Sequence, residues 1–466
     1  MSKYQIILLT LILYKVALIA IGLWAQRRTR DNTDFFLGGR QLGPVVAAIS
    51  ASASSSSAWT LLGVSGAAFA WGISALWLFP ATVGGFLLNW MWVAPRLMPA
   101  ARRSGAITLP EFIAGDSPAR ATILRLATAI ILFSFMFYVA AQFQAAGDAF
   151  ASTFGLSMQV SVLVGAGIVL LYTLLGGFWA VSVTDTLQGI LMALTAVLLP
   201  VAALIAVGGF GALLAGLAGS SDVIALSPTG KYTGIAALGF VVGLLGIGMG
   251  YPGQPHVVNR FMALRDDQAL GKARVIAVAW AVVVYAGMLL LGLCGRVLVN
   301  ELEAGEQVFF VLSDQLFPPV IAGVMIAAIL SAIMSTADSQ LLVAASSVGY
   351  DWRVAGGAAK PDLLSTRIVV TVLSIAAVAV ALLAPETIFK RVLFAWHAVG
   401  SAFGPIVLLR LAGFRISSGA LLGSMLAGFV LTLVLYWVPD TPGDVAERLL
   451  PFALALGIAW WGSERS

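Results

Sequence analysis

Long apolar stretches, separated by short polar loops, occupy most of the chain. Thirteen such segments can be recognised, and their bounds are 4–25, 45–70, 72–95, 121–149, 158–177, 180–208, 235–262, 271–299, 308–346, 366–385, 388–409, 416–438 and 446–462. About 20 apolar residues in a helix are enough to cross the hydrocarbon core of a bilayer. The pattern therefore predicts an all-α integral membrane protein with thirteen transmembrane helices.

Two of these segments contain helix breakers at matching places in the two halves of the chain. Segment 45–70 contains the serine-rich run 52–57, and segment 235–262 contains four glycines and two prolines between positions 246 and 255. Such residues free backbone carbonyls, which a bilayer tolerates only where protein or a water-filled cavity receives them. Paired interruptions of this kind are typical of the binding site of a secondary transporter, near the bilayer midplane.

The spacing of the broken spans predicts one transmembrane domain, 1–466, built on a five-plus-five inverted repeat. The expected parts are an extra span 0 (4–40), spans 1–5 (41–208), spans 6–10 (235–413) and two further spans (414–466). The longest inside stretch, 96–120, contains Thr108-Leu109-Pro110-Glu111. Proline followed by an acidic residue predicts the start of a helix there.

Composition and charge agree with a membrane location. Of 466 residues, 60% are hydrophobic and 10% are charged, whereas soluble domains carry roughly 25% charged residues. With the N-terminus outside, inside loops collect 19 of the 26 basic residues, Arg260 among them. The basic residues assigned to the outside are Lys3, Lys15, Lys231, Arg296, Lys390, Arg391 and Arg448. This bias predicts a cytoplasmic C-terminus in a plasma (bacterial inner) membrane.

Several functional classes are disfavoured. Segment 4–25 lacks a small-residue cleavage site and is expected to be retained as a span rather than removed as a signal peptide. The single cysteine, Cys294, excludes a disulfide within one chain. Two separated histidines, His256 and His397, are too few for a transition-metal site. No nucleophile–base pair suggests an enzyme, and the short C-terminal stretch is expected to leave no room for a signalling domain.

Two acidic residues lie within predicted spans, where ionisable groups are costly and usually functional. Asp185 is in span 5 and Asp338 is in span 8, close to the hydroxyls of Ser335, Thr336 and Ser339. Hard oxygen ligands of this kind suit sodium, and the acids could instead relay protons. The alternatives are a helix cap at Asp185 and serine hydroxyls that bond to their own or neighbouring helices.

A second group of polar residues suits a small zwitterion or carboxylate. Tyr251 and Gln254 follow the glycines of span 6, and Tyr138 and Gln142 share one face of span 3 because they are four residues apart. His397 in span 10 could contact a substrate or fill the bundle interior.

Five motifs in order resemble the sodium:solute symporter family, which uses the fold first seen in the bacterial leucine transporter. They are Phe36-Leu37-Gly38-Gly39-Arg40, Thr108-Leu109-Pro110-Glu111-Phe112, Gly176-Gly177-Phe178 with Thr184-Asp185, Gly253-Gln254-Pro255-His256 and Met334-Ser335-Thr336-Ala337-Asp338-Ser339. The resemblance covers nearly the whole chain and is strongest to the sodium/proline symporter branch.

The resemblance implies Na⁺ as coupling ion, without an organic cofactor or transition metal, and a set of binding residues. The implied sodium site between spans 1 and 8 consists of Ala53, Ser56, Ala332, Ser335 and Thr336. A possible second sodium or proton site maps to Asp185, Ser335, Asp338 and Ser339. The expected substrate-binding residues are Ser54, Ser55, Ser57, Trp59, Tyr138, Gln142, Tyr251, Gln254, Pro255 and His397.

The expected function is sodium-coupled import of proline or a related amino acid by alternating access, with a monomer sufficient. The proline branch has Asp, Gly and Trp where this chain has Ser55, Ala58 and Ile247. A sodium symporter for a carboxylate, such as pantothenate or a monocarboxylate, is therefore one alternative. A proton-coupled carrier that uses Asp185 and Asp338 is another.

Overall fold

The computed structural model describes residues 2–26, 37–174, 178–219, 223–357, 363–384 and 386–465. Helices dominate this part of the chain. In chain order the α-helices are α1 Lys3–Gln26, α2 Pro44–Ser55, α3 Val64–Trp71, α4 Leu78–Leu87, α5 Ala94–Ser104, α6 Leu109–Ala114, α7 Arg120–Phe154, α8 Met158–Thr173, α9 Phe178–Val207, α10 Phe210–Gly219, α11 Gly234–Gly246, α12 Pro255–Met262, α13 Asp267–Leu298, α14 Val308–Leu316, α15 Pro319–Ser346, α16 Arg353–Ala355, α17 Leu363–Leu383, α18 Ile388–Leu411, α19 Ser418–Tyr436 and α20 Val445–Trp461.

Tighter and wider helical turns join several of these helices. The 3₁₀ segments are Gly38–Arg40, Gly72–Trp77, Val223–Leu226, Ile247–Gly253, Gly305–Gln307 and Pro442–Asp444, and the π-helical segments are Trp59–Gly63, Leu88–Val93 and Ser347–Trp352. Such turns often lie at functional or strained places in a helix. Both interrupted spans contain one.

The predicted interruptions are confirmed in both halves. In the first, α2 ends at Ser55 and helical structure resumes as the π-turn at Trp59. In the second, α11 gives way to the 3₁₀ segment Ile247–Gly253, and α12 begins at Pro255. A parallel bridge between Leu42 and Leu264 joins the start of the first broken span to the end of the second.

The two broken spans lie at the centre of the bundle. Helix α2 packs against α9, α12, α13 and α15, while α18 packs along the 3₁₀ break of the second span. The serine run of α2, the 3₁₀ break and α12 bury nearly all of their residues, as does most of α15 and α18. The broken backbone is therefore enclosed by protein, as freed carbonyls inside a membrane require.

The count of thirteen spans stays a prediction. Within the described residues, nine helical stretches are long and apolar enough to cross a membrane. One of these, Trp59–Ser104, runs through two predicted spans, because the chain turns at Gly72 (φ +66°) without a long polar loop. Four shorter apolar helices are also present in the described residues, and three of them, in α2, α8 and α17, cover parts of further predicted segments.

Several sequence expectations need correction. The predicted segment 308–346 is two helices, α14 and α15, because Pro318 separates them. Residues 209–234, which lie between two predicted apolar segments, contain the helix α10. Residues 414–416 (β1) and 463–465 (β2) form a small antiparallel sheet, in which Phe414 pairs with Arg465. The helix start at Thr108 is confirmed, since its side chain accepts a hydrogen bond from the Glu111 N–H.

Several basic residues were assigned to the wrong environment, and Arg391 and Arg448, both counted as outside residues, are only 3% and 2% exposed. Lys15, counted as an outside residue, lies near the middle of α1. Arg260, counted with the inside loops, is only 1% exposed within α12. The position of a basic residue relative to the end of an apolar segment does not predict its exposure where the helix directs the side chain into the bundle. Arg27, Arg28, Arg30, Phe36, Gly176, Gly177 and Lys360 lie outside the described residues.

Candidate functional site

A side chain from α7 forms a hydrogen bond with the backbone at the break in the first span. Small hydroxyl residues compete with the helical ladder for backbone groups, and α2 ends within the run of serines. Beyond the break, the N–H of Ala58 donates to Oε1 of Gln142 at 3.1 Å. The Ser57 hydroxyl accepts from the N–H of Trp59 at 3.2 Å. The interruption is thus a built feature with partners for its freed donors.

The freed carbonyls of this span meet the hydroxyls of α15. Ser335 donates to the carbonyl of Ala53 and to that of Ala332, each at 3.2 Å. Thr336 donates to the carbonyl of Ser54 at 3.1 Å and lies 3.5 Å from that of Ala53. We call these three carbonyls and two hydroxyls the neutral oxygen cluster.

The neutral oxygen cluster is fully buried and contains no ionised group. All five of its residues have no exposed surface. Uncharged oxygens that converge in this way are ligands suited to a hard cation. The structure thus brings together Ala53, Ala332, Ser335 and Thr336, four of the five residues that the sequence assigned to a sodium site.

Ser56, whose carbonyl is the fifth expected ligand, stays a prediction. Its N–H donates to the Ala53 carbonyl at 3.3 Å, and its hydroxyl lies 3.3 Å from that of Tyr285. Among the described contacts, the carbonyl that joins Thr336 is that of Ser54. A serine run offers several carbonyls, and the turn at the break decides which one faces α15.

A second polar cluster, which we call the charged cluster, lies on the same faces of α2 and α15. Arg260 Nη2 donates to Oδ2 of Asp185 at 2.9 Å, and both side chains are almost completely buried. The same carboxylate oxygen accepts from Ser50 and Ser54, each at 3.0 Å. Ser339 lies 2.6 Å from the guanidinium and 3.4 Å from the carboxylate.

Asp185 is therefore not a helix cap, the alternative that its sequence position had left open. It lies inside α9, and its neighbours Thr184 and Thr186 donate to carbonyls of their own helix. The guanidinium of Arg260 also donates to the carbonyl of His256 and lies over the ring of Phe178. The acid is held by a cation that belongs to the protein.

The remaining residues of the expected second site do not join the charged cluster. Ser335 belongs to the neutral oxygen cluster. Asp338 is fully buried, and within the described part of the chain neither of its carboxylate oxygens has a hydrogen-bond partner. The expected group of Asp185, Ser335, Asp338 and Ser339 is thus divided among three environments.

Aromatic residues surround the break of the second span. The ring of Tyr251 packs edge-on against Trp396, with centroids 4.7 Å apart. Trp396 Nε1 donates to the carbonyl of Ile247 at 3.1 Å, and Gln254 Nε2 donates to the carbonyl of Trp396 at 2.8 Å. This break accordingly depends on α18 for its hydrogen bonds.

The close approach of α18 explains a glycine in the second span. A Cβ added to Gly253 would lie 2.8 Å from the carbonyl oxygen of Gly400. Pro255 follows as the first residue of α12, where its missing N–H leaves no bond unmade. Gly253-Gln254-Pro255 therefore combines close packing, a hydrogen-bonding side chain and a helix start.

Other expected substrate residues lie around the same centre, with two exceptions. Tyr138 faces Ser57 and the ring of His256, and Trp59 packs against Phe389. Ser55 instead donates to the carbonyl of Ser52 on its own helix. His397 is buried next to Trp396, and within the described residues no hydrogen bond reaches its Nε2.

Sequence reasoning missed Tyr285 of α13, which connects the two broken spans. Its hydroxyl lies 3.3 Å from those of Ser56 and Tyr251 and 3.2 Å from that of Thr60. A single tyrosine in an apolar segment looks like a core residue. Arg260 and Trp396 were also missed, although a buried arginine five residues after a proline helix start could have suggested an interior charge.

Comparison with known proteins agrees with this architecture. Residues 35–428 match the model of the sodium:solute symporter family. The chain is 37% identical to the sodium/proline symporter of Escherichia coli (strain K12) over 443 residues, which are 92% of this chain and 87% of that protein. It is 36% identical to the high-affinity proline transporter PutP of Bacillus subtilis (strain 168) over 452 residues, 94% of each chain.

Solved structures show the same fold. The chain is similar to a Na⁺-coupled sialic acid symporter in its substrate-bound outward-open state, with a TM-score of 0.81, 17% identity and 99% of both chains covered. It is also similar to MhsT in complex with L-phenylalanine, with a TM-score of 0.56, 14% identity and coverage of 91% of this chain and 99% of that one. The predicted helical fold of the leucine-transporter type is thereby confirmed, and the chain is a multi-pass membrane protein.

Proposed function

The chain belongs to the sodium:solute symporter family, and from that premise we propose that it is a sodium-coupled symporter that imports proline. The observation that carries the proposal is the neutral oxygen cluster. Carbonyls freed by the broken span face hydroxyls of α15 in a fully buried position. Sodium bound there would hold α2 against α15.

One sodium ion per cycle follows from the charged cluster. Asp185 is the acid that a second cation would need, but Arg260 already binds it at 2.9 Å. A buried guanidinium with this many hydrogen bonds is a fixed cation, always charged, and it leaves no need for a second ion. The neutral oxygen cluster is then the position at which a mobile cation binds.

The substrate pocket lies between the two breaks. Tyr251 and Trp396 offer aromatic faces that suit the apolar ring of proline, and Tyr138 adds a hydroxyl. Polar groups of the serine run suit a carboxylate and an amine. The pocket shares its backbone with the sodium site, because Ser54 and Ser57 belong to the same interruption. Each ligand should therefore raise the affinity of the other by the same factor.

Access from the predicted outer face is closed by aromatic residues. Phe389 packs on Trp59 with centroids 5.5 Å apart and on Trp71 with centroids 5.2 Å apart. Phe389 and Trp71 also line a cavity of about 480 Å³. Movement of Phe389 with α18 would connect this cavity to the pocket, as alternating access in a plasma membrane with the N-terminus outside requires.

Uptake into proteoliposomes tests the proposal. Purified protein should accumulate radiolabelled L-proline when a sodium gradient is directed inward, and a potassium gradient of equal size should give no accumulation. Uptake that persists in potassium and collapses with a protonophore would replace sodium by protons. Sodium-driven uptake of pantothenate or a monocarboxylate, without uptake of proline, would overturn the substrate and keep sodium coupling.

A further inference from the structure

The first helix lies outside both predicted repeats, yet it packs along the helix that carries the sodium-site hydroxyls. Helix α1 contacts α15 and α9. A Cβ added to Gly323 would lie 3.2 Å from Thr10, and the hydroxyl of Tyr14 is hydrogen-bonded to that of Ser331. From the first of these contacts to the second, the residue numbers increase along both helices. Helix α1 therefore runs parallel to α15 and reaches the level of the neutral oxygen cluster.

Lys15 lies on the packed face of α1, not on its lipid-facing side. The buried residues of this helix are Ile7, Leu11 and Leu18, and Lys15 is four residues after Leu11 and three before Leu18. These spacings place it on the same face. Its ammonium group contacts the sulfur of Met334 on α15. A lysine at this depth of a membrane requires a partner, and a thioether is not a counter-charge.

Asp338 lies one helical turn beyond Met334 on α15 and has no exposed surface. No hydrogen bond reaches either of its carboxylate oxygens within the described ranges. The charges that act on it are Asp185, Lys15 and Arg260. Since Arg260 is bound to Asp185, Lys15 is the one of these cations that has no ion pair with another described residue.

We propose that Lys15 is the fixed counter-charge of Asp338 and that this pair positions the sodium-binding stretch of α15. These four charges then form two neutral pairs, Asp185 with Arg260 and Asp338 with Lys15. Asp338 is accordingly neither a sodium ligand nor a proton carrier. Ser335 directly follows Met334, the residue that Lys15 contacts, so displacement of α1 would move the hydroxyl that faces Ala53. This second part rests on the proposed function, and the pairing itself does not.

A double-mutant cycle on thermal unfolding of the full chain in detergent tests the pairing. Lys15→Met and Asp338→Asn should each lower the unfolding temperature, because each leaves one buried charge without its partner. The double variant should be more stable than either single variant. If the losses of the two single variants add in the double variant, the pairing is wrong. If a single variant does not fold, recovery of folded protein in the double variant decides the same question.

Sodium activation of proline uptake tests the positioning role. Lys15→Met should raise the sodium concentration for half-maximal uptake by about tenfold, a coupling of about 1.4 kcal/mol, and Lys15→Arg should restore it. The matched control is Lys3→Met, because Lys3 of the same helix pairs with the exposed Asp314. Unchanged sodium dependence in folded Lys15→Met would overturn the positioning role. Wild-type protein without sodium-dependent uptake would refute the proposed function, while the unfolding cycle would still decide the pairing.

Discussion

The neutral oxygen cluster and the charged cluster share helices α2 and α15 but differ in charge, because the charged cluster also includes Asp185 of α9 and Arg260 of α12. Both place residues of α2 against residues of α15, and Ser54 contributes its carbonyl to the first and its hydroxyl to the second. The charged cluster contains its own cation, Arg260, whereas the neutral oxygen cluster contains only carbonyls and hydroxyls. A permanent ion pair holds its helices in one arrangement. A set of uncharged oxygens, in contrast, can bind a mobile ion and lose it again.

The largest effect is expected when the charged cluster loses its cation. Arg260→Met leaves the carboxylate of Asp185 buried without a partner, and removal of one member of a buried ion pair costs about 3–5 kcal/mol. Folded yield and unfolding temperature, measured by fluorescence-detected gel filtration, should both fall sharply. Replacing Asp185 by Asn in the same chain should recover much of the loss.

The control for Arg260 is a surface pair of the same type. Arg265 and Asp266 lie 2.8 Å apart with side chains 51% and 43% exposed, and an exposed pair contributes about 0–1 kcal/mol. Arg265→Met should therefore be close to wild type. Equal stability of the Arg260→Met variant and the wild type would show that the charged cluster is not a fixed element.

Sodium should partly replace the guanidinium that the Arg260→Met variant lacks, and this response tests the difference between the two clusters. In Arg260→Met, the carboxylate of Asp185 and the hydroxyls of Ser50, Ser54 and Ser339 remain as oxygen ligands. We expect the unfolding temperature of this variant to rise more with added sodium, relative to potassium, than that of the wild type. An identical sodium response in the two proteins would mean that the charged cluster cannot accept a mobile cation.

A smaller loss of stability is expected when the break in the first span loses a hydrogen bond. Gln142→Met removes the acceptor for the Ala58 N–H, and a buried donor left without a partner costs about 1–3 kcal/mol. Proline affinity at saturating sodium, measured by radioligand binding, should fall, because the freed backbone of the break loses its fixed position. Gln315→Met, on the exposed side of α14, is the control. Wild-type affinity in Gln142→Met would show that the break does not depend on α7.

The smallest loss of stability is expected at Thr108, in the predicted inside stretch 96–120. Thr108 caps α6 through the Glu111 N–H and donates to Asp351 at 2.7 Å. Loss of a cap costs about 1 kcal/mol, so Thr108→Ala should lower the unfolding temperature slightly and leave sodium dependence unchanged. Thr371→Ala, whose hydroxyl bonds to its own helix, should have no effect. A changed sodium requirement in Thr108→Ala would extend the functional site to this stretch.

Much of the fold was predictable because its signals are local. Apolar length indicates spans, and runs of serine, glycine or proline indicate broken helices, so both interruptions could be found from sequence. The division of segment 308–346 could also have been found, since Pro318 marks it. Local signals do not report which helices pack together, and the place of α1 along α15 came only from the structure.

The site was predictable where a residue is unusual for its surroundings. Asp185, Ser335 and Thr336 are polar groups in apolar segments and were found for that reason. Arg260 was misplaced because a basic residue near a predicted loop is ordinarily solvent-exposed, whereas Lys15 was counted as an outside residue although it lies inside the predicted segment 4–25. Only the tertiary contacts with Asp185 and Met334 reveal where the two side chains lie. The contact of the Ser54 carbonyl with Thr336 depends on the backbone turn at the break, which residue types do not specify.

The claim that the neutral oxygen cluster holds the transported sodium is tested most directly by sodium titration of proline binding. Thr336→Val keeps the shape of the side chain and removes its oxygen, and Thr432→Val, whose hydroxyl bonds to its own helix at Gly428, is the matched control. We predict that Thr336→Val needs about tenfold more sodium, equivalent to about 1.4 kcal/mol, while proline affinity at saturating sodium stays near that of the wild type. A sodium requirement equal to that of wild type and Thr432→Val would contradict the assignment of sodium to this cluster.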